Sequence, residues 1–181
     1  MNSMPDKEET RIKNICCSFL DAVRDKRYED IEKLSFKYDS LPVIEIGNPI
    51  DAELASILVE EPLDEVRLSV VGGHIYNLAP ALILSTPNIE LLDRVLVAYT
   101  KGRTIYCGGD TILSDDTLLR SLPEIQHKYE IKYPKVPFPK YLVVHRIIQC
   151  IPRVLYDESK ELVENETNKG ILRHYRKIRQ I

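Results

Sequence analysis

"TPNIELLDRVLVAYTKG", Thr86 to Gly102, is the stretch on which the reading of the fold turns. Pro87 stands where a first helical residue belongs and Gly102 where a C-terminal cap belongs. Ile89, Leu92, Leu96 and Tyr99 recur at helical steps on one face, and Glu90 precedes Arg94 by one turn, a pairing that supports a helix. Against this, "RVLVAYT" is rich in strand-favouring side chains. Thr100-Lys101-Gly102 can also close a hairpin onto "RTIYC", Arg103 to Cys107. Start, stop and period agree, so the helix is the preferred reading.

On either side of this stretch lie two segments that read as strands. "EVRLSVVGG", Glu65 to Gly73, and "RTIYCGG", Arg103 to Gly109, each carry branched or aromatic residues up to a glycine pair. A helix between them makes the connection a crossover and the strands parallel. Gly72-Gly73-His74 and Gly108-Gly109-Asp110 then meet at the carboxyl edge of a sheet, where open α/β folds place ligands. A hairpin instead gives the order β-α-β-β-α-β, a ferredoxin-like core, and sends His74 and Asp110 to opposite edges. In that layout "LSVVGG" and "KGRTIYC" resemble the two strand motifs of RNA-recognition modules. Their base-stacking positions would be held by Ser69, Arg103 and Ile105, so the aromatic platform is missing.

The rest of the chain is read around this centre. Residues 8–38 form a helical hairpin, with Ile12, Ile15, Cys16, Phe19 and Val23 as the first stripe and Tyr28, Ile31 and Leu34 as the second. "LPVIEIG", Leu41 to Gly47, reads as a strand, and Asp51 as the N-cap of the helix after it. A helix starting near Asn77 carries Pro80 in its first turn, and Ser114-Asp115-Asp116 opens another that reaches Leu122. "IQHKYEIKY", Ile125 to Tyr133, alternates as a half-exposed edge strand would. The proline-rich connector 134–140 leads to C-terminal helices over 141–179. The whole is predicted to be one domain over residues 1–181: an α/β core at 41–133, with a small, mainly parallel sheet and helices on both faces.

Sliding the chain by 36 residues superposes Arg67 on Arg103, the two glycine pairs on each other, Leu82 on Leu118, Ser85 on Ser121, Pro87 on Pro123 and Ile89 on Ile125. This reads as a recurring local grammar of strand, turn and helix.

Charge is unevenly placed. Residues 1–126 hold 13 Lys/Arg against 22 Asp/Glu, whereas residues 127–181 hold 12 against 6. Such halves can attract one another or bind opposite partners. No apolar run is long enough for a membrane span and the first residues lack a secretory pattern, so an intracellular, cytoplasmic protein without membrane contact is expected. The four cysteines (Cys16, Cys17, Cys107 and Cys150) have no metal or disulfide spacing and are expected as thiols.

The candidate site residues follow from the glycine turns. Gly72, Gly73, Gly108 and Gly109 could bring backbone N–H groups close to a phosphate, with His74 and Asp110 as catalytic groups if the protein is an enzyme. Asp110, Asp115 and Asp116 are the weak candidates for a metal. Neither G-x-G-x-x-G nor a P-loop is present, so a cofactor is not expected. The C-terminal "KGILRHYRKIRQI" places Arg173, Arg176, Lys177 and Arg179 beside an apolar stripe, suited to a protein partner or to nucleic acid. Absent catalytic signatures and segregated charge favour a non-catalytic binding or assembly protein acting through protein contacts. A phosphate- or nucleotide-ligand enzyme and an RNA-binding protein are the alternatives.

Overall fold

Asp64 opens a helix, not a strand: its side chain accepts from the backbone N–H of Arg67 at 3.0 Å, and the chain is helical from Glu65 to His74. The computed structural model describes residues 4–41, 47–75, 78–107 and 113–148, and among them every regular element is a helix. In chain order these are α1 (Met4–Arg24), α2 (Tyr28–Asp39), α3 (Pro49–Leu58), α4 (Glu65–His74), α5 (Ala79–Leu84), α6 (Ile89–Cys107), α7 (Leu113–Lys132) and α8 (Lys140–Ile148).

The α/β expectation therefore fails, in its parallel and its ferredoxin-like form alike. The segments read as strands at 66–71 and 103–107 are helical, and the one read at 125–133 is helical as far as Lys132. Of the first expected strand, residues 42–46 lie outside the described residues. Each misreading has a physical cause. In α4, Val66, Leu68 and Val70 alternate with Arg67 and Ser69, which imitates a half-buried strand. The helical period was hidden because Arg67 is a core residue. Its guanidinium donates to the Val23 carbonyl at 2.8 Å and the Ile57 carbonyl at 3.4 Å, in the last turns of α1 and α3. Carbonyls at helix C-termini lack intrahelical donors and favour positive charge, so the buried cation is matched there.

In α7, Ile125 and Tyr129 are buried and Tyr133 half-buried, while His127 and Ile131 are exposed. A spacing of four satisfies both a strand's period and a helix's, and only the exposed residues between them separate the two. The helix also continues through Pro123. The helix around residues 87–101 is present, but it passes Gly102 and takes in "RTIYC". Asp51 is not an N-cap: Asn48 caps α3, accepting from the Asp51 N–H at 2.9 Å.

The main contacts run from α1 to α3 to α5 to α7, and from α2 to α4 to α6 to α8, with α1–α2, α5–α6 and α7–α8 joining the two rows. Odd-numbered helices thus form one layer and even-numbered helices the other, a stack of helical hairpins of the solenoid kind. The 36-residue offset carries α4 onto the end of α6 and α5 onto the start of α7, each helix onto the next of its own layer. Arg67 and Arg103, which it superposes, are both buried. The core lies between the layers, with Phe19, Ile31, Tyr38, Leu54, Leu68, Leu82 and Leu96 fully enclosed. At the far end, the Tyr133 hydroxyl donates to the Leu84 carbonyl at 2.7 Å, closing the C-terminus of α5. Among the described residues no helix is long and apolar enough to cross a membrane.

The turn between α1 and α2 closes in a Schellman arrangement. Arg27 N–H donates to the Ala22 carbonyl at 3.0 Å and Lys26 N–H to the Val23 carbonyl at 3.4 Å, with Lys26 at a φ of 55°. A side chain in this left-handed conformation is costly, and glycine is not penalised there. Lys26→Gly is expected to stabilise the protein by about 0.5–1 kcal/mol, read as a higher denaturant midpoint at unchanged slope. Gly102 has the opposite requirement: a Cβ there would lie 2.0 Å from the Ser69 carbonyl oxygen and 2.7 Å from its carbon. Gly102→Ala should force α6 away from α4 and cost roughly 3 kcal/mol, despite alanine's higher helix propensity. An unchanged unfolding midpoint would show that the two helices are not so closely opposed.

Candidate interaction surface

Small residues bring α4 and α6 together. Besides Gly102 over Ser69, Gly72 lies under the Tyr99 ring, where a Cβ would meet Cδ2 at 2.7 Å. Ala98 is buried beside them. Close approach of the two backbones leaves no room for large side chains at the crossing, so the large ones stand on the outer side. Glu65, Val66, Ser69 and Val70 from α4, with Val97, Ala98, Lys101 and Ile105 from α6, line an open groove of about 350 Å³.

Three apolar members of this groove are exposed: Val66 by 63%, Ile105 by 61% and Val97 by 40%. Val97, Lys101 and Ile105 follow one another at steps of four, a stripe along the outside of α6. Two other large exposed side chains, Phe36 on α2 and Tyr141 on α8, belong to the same layer. At the groove's acidic side, Arg94 stands 3.3 Å from Glu61 and 4.0 Å from Glu65. Both partners are half-exposed, so these pairs contribute little to stability. Lys101 makes no ion pair among the described residues.

The site expected from the sequence is only partly described. Gly72, Gly73 and His74 are the last residues of α4 and are buried. They supply no strand-end turn, because the strand is a helix. Gly72 is there to admit Tyr99. Gly108, Gly109 and Asp110 lie outside the described residues, as do Arg173, Arg176, Lys177 and Arg179. The backbone of Asp115 and Asp116 is in α7, but their side chains are likewise outside the description. Among the described residues no group of three or more His, Cys, Asp or Glu side chains could hold a metal ion.

His74 packs its ring on Phe36, centroid to centroid 4.5 Å, with Nε2 at 3.6 Å from a Glu32 carboxylate oxygen. Burial holds its imidazole below the usual histidine value, against the pull of Glu32 and with the help of the Arg103 charge. It is buried and packs between α4 and the Phe36 ring of α2.

A second buried polar group was not singled out from the sequence. The Tyr38 hydroxyl donates to Asp51 Oδ1 at 2.7 Å, and both side chains are buried where α1, α2 and α3 meet. Burial pushes the Asp51 carboxyl up to about 6, although the hydrogen bonds with Tyr38 and Asn48 work the other way. The signal available in the sequence was weak: an aspartate in the first turn of a helix is ordinary.

None of the known family models, curated proteins or solved structures matches the chain significantly. The surface is therefore read from its own chemistry.

Asp51 makes stability depend on pH with a definite sign. Its folded pKa lies above the unfolded value, so the folded state holds the extra proton, and stability falls as pH rises from about 4 through 6. The shift from 3.8 to about 6 corresponds to a differential on the order of 3 kcal/mol. Asp51→Asn should remove this component. Urea unfolding from pH 4 to pH 7 should show the wild type losing stability relative to the variant, and parallel pH profiles would contradict the assignment.

Proposed function

We propose that the chain is a binding or assembly protein acting through protein–protein contacts made by the outer face of α4 and α6. The observation that carries this is the exposure of Val66, Val97 and Ile105 around one groove. Apolar surface gathered in one place and left open to water marks interaction sites, whereas isolated exposed apolar residues do not. Covering it contributes roughly 25 cal/mol for each Å² removed from water. Valine and isoleucine also have few rotamers to lose on binding.

The chemistry of the lining favours a protein partner over a small polar ligand. Four aliphatic side chains (Val66, Val70, Val97 and Ile105) and the buried Ala98 line it with a single acid, Glu65, and a single base, Lys101. A phosphate or sugar site needs several polar groups converging on one point. The glycine pair offered as a phosphate cradle is, at Gly72 and Gly73, helical and buried.

The test is site-directed photo-crosslinking in cells, with Val97→benzoylphenylalanine on the groove and Glu9→benzoylphenylalanine on exposed α1 as the control. The reading expects discrete protein adducts at position 97 that are absent at position 9 and are lost when Val66→Asp is added. The same adduct pattern at both positions, or none at position 97, rejects it.

A further inference from the structure

We infer that the partner seated on the α4–α6 groove is a second copy of this chain, related by a twofold axis; the inference rests on reading that face as a protein-binding surface. The argument begins with charge. A face of one sign repels its own copy, whereas a patch holding one acid and one base around an apolar centre is self-complementary. The groove has this composition: Glu65 on α4, Lys101 on α6, and valines and an isoleucine between and around them. Lys101 is exposed and has no ion pair among the described residues. Glu65 has only Arg94 at 4.0 Å, the limit of a contact. Both charges are available to a neighbour.

A twofold axis through the patch places each Glu65 against Lys101 of the other copy, so one interaction is formed twice. Shape acts in the same direction. Val66 and Ile105 line the groove and are also its most exposed apolar side chains. Each is thus a wall of its own groove and a ridge that can enter the other copy's. Helix pairs opened at a small-residue crossing accept such ridges. The apolar centre supplies affinity, and the paired charges fix the register.

Sedimentation equilibrium of the full chain tests this at about 150 mM salt, where exposed charges still act over several ångströms. The wild type is expected to dimerise with a dissociation constant in the micromolar range or tighter. Glu65→Lys and Lys101→Glu should each weaken dimerisation about tenfold or more, because each sets like charges face to face. The double variant carrying both changes should regain wild-type affinity to within a few-fold. Rescue of that kind is specific to a contact between these two positions. Ile105→Glu should leave a monomer, with Ile105→Thr as a milder variant. Circular dichroism and melting of each variant confirm that these exposed substitutions leave the fold intact.

A wild type that stays monomeric at roughly 100 μM overturns the inference. So does a dimer indifferent to Ile105→Glu and Ile105→Thr, or one that the double charge swap fails to restore. Crosslinking at position 97 separates the two levels. Adducts at the mass of two chains support the second copy. Adducts to other proteins alone, with a monomeric wild type, overturn the second copy and leave the protein-binding reading standing. Adducts within one chain alone overturn both.

Discussion

The contact between α4 and α6 sets the conditions for the rest of the molecule. Gly102 lies against the Ser69 carbonyl with no space for a methyl group, and Gly72 lies against the Tyr99 ring. Two backbones this close leave little room between them beyond that taken by the Tyr99 ring, which Gly72 admits. Their buried side chains must then turn toward the odd-numbered layer, where Leu68, Val71, Leu92, Leu96 and Tyr99 fill the core. Their remaining side chains must turn outward, and so the exposed groove results from the same close approach. A glycine within a helix costs about 1 kcal/mol relative to alanine. The packing that Gly102 permits outweighs that cost.

Buried polar groups hold the layers in place around this contact. Arg67 reaches from α4 to the carbonyl ends of α1 and α3, while Tyr38 and Asp51 link α2 with α3. His74 packs its ring on Phe36, with Nε2 3.6 Å from Glu32. Polar residues beside glycines invite a reading as catalytic machinery. Here they serve the geometry of helix ends and helix crossings, since a polar group taken out of water must be matched by another. Ordinary solvent-facing aliphatics, by contrast, form the surface with a free face to offer.

Some of this was legible in the chain. The first helical hairpin is present, with Cys16, Phe19, Val23 and Ile31 of the expected stripes buried and Tyr28 exposed. The helix at Ile89 to Tyr99 is present, although it begins two residues after Pro87, with Asn88 Oδ1 accepting from the Leu91 N–H. The strand assignments failed for reasons that lie outside any local window. Arg67 breaks the apolar period of α4, and what makes it a core residue is a pair of carbonyls 44 and 10 positions away in the chain. Gly102 has the chemistry of a helix end, and what makes it interior is Ser69 on another helix. The glycine-turn site rested on those strands. Its described half became helix packing, while Val66 went unremarked and Ile105 was noted only as a missing stacking position, because strand positions had been assigned to them.

By itself, the sequence determined where the chain is amphipathic, where it turns at Pro87 and around Asp25–Arg27, and that residues 66–71 and 103–107 share a local pattern 36 residues apart. Only the tertiary structure decided that these stretches are helical and that Gly72 and Gly102 face a neighbouring helix. Helix and strand share residues at a spacing of four, and glycine suits both a turn and a tight crossing. Local chemistry is degenerate between those pairs of outcomes. The choice is made by what packs against the residue, and for α4 and α6 that is each other.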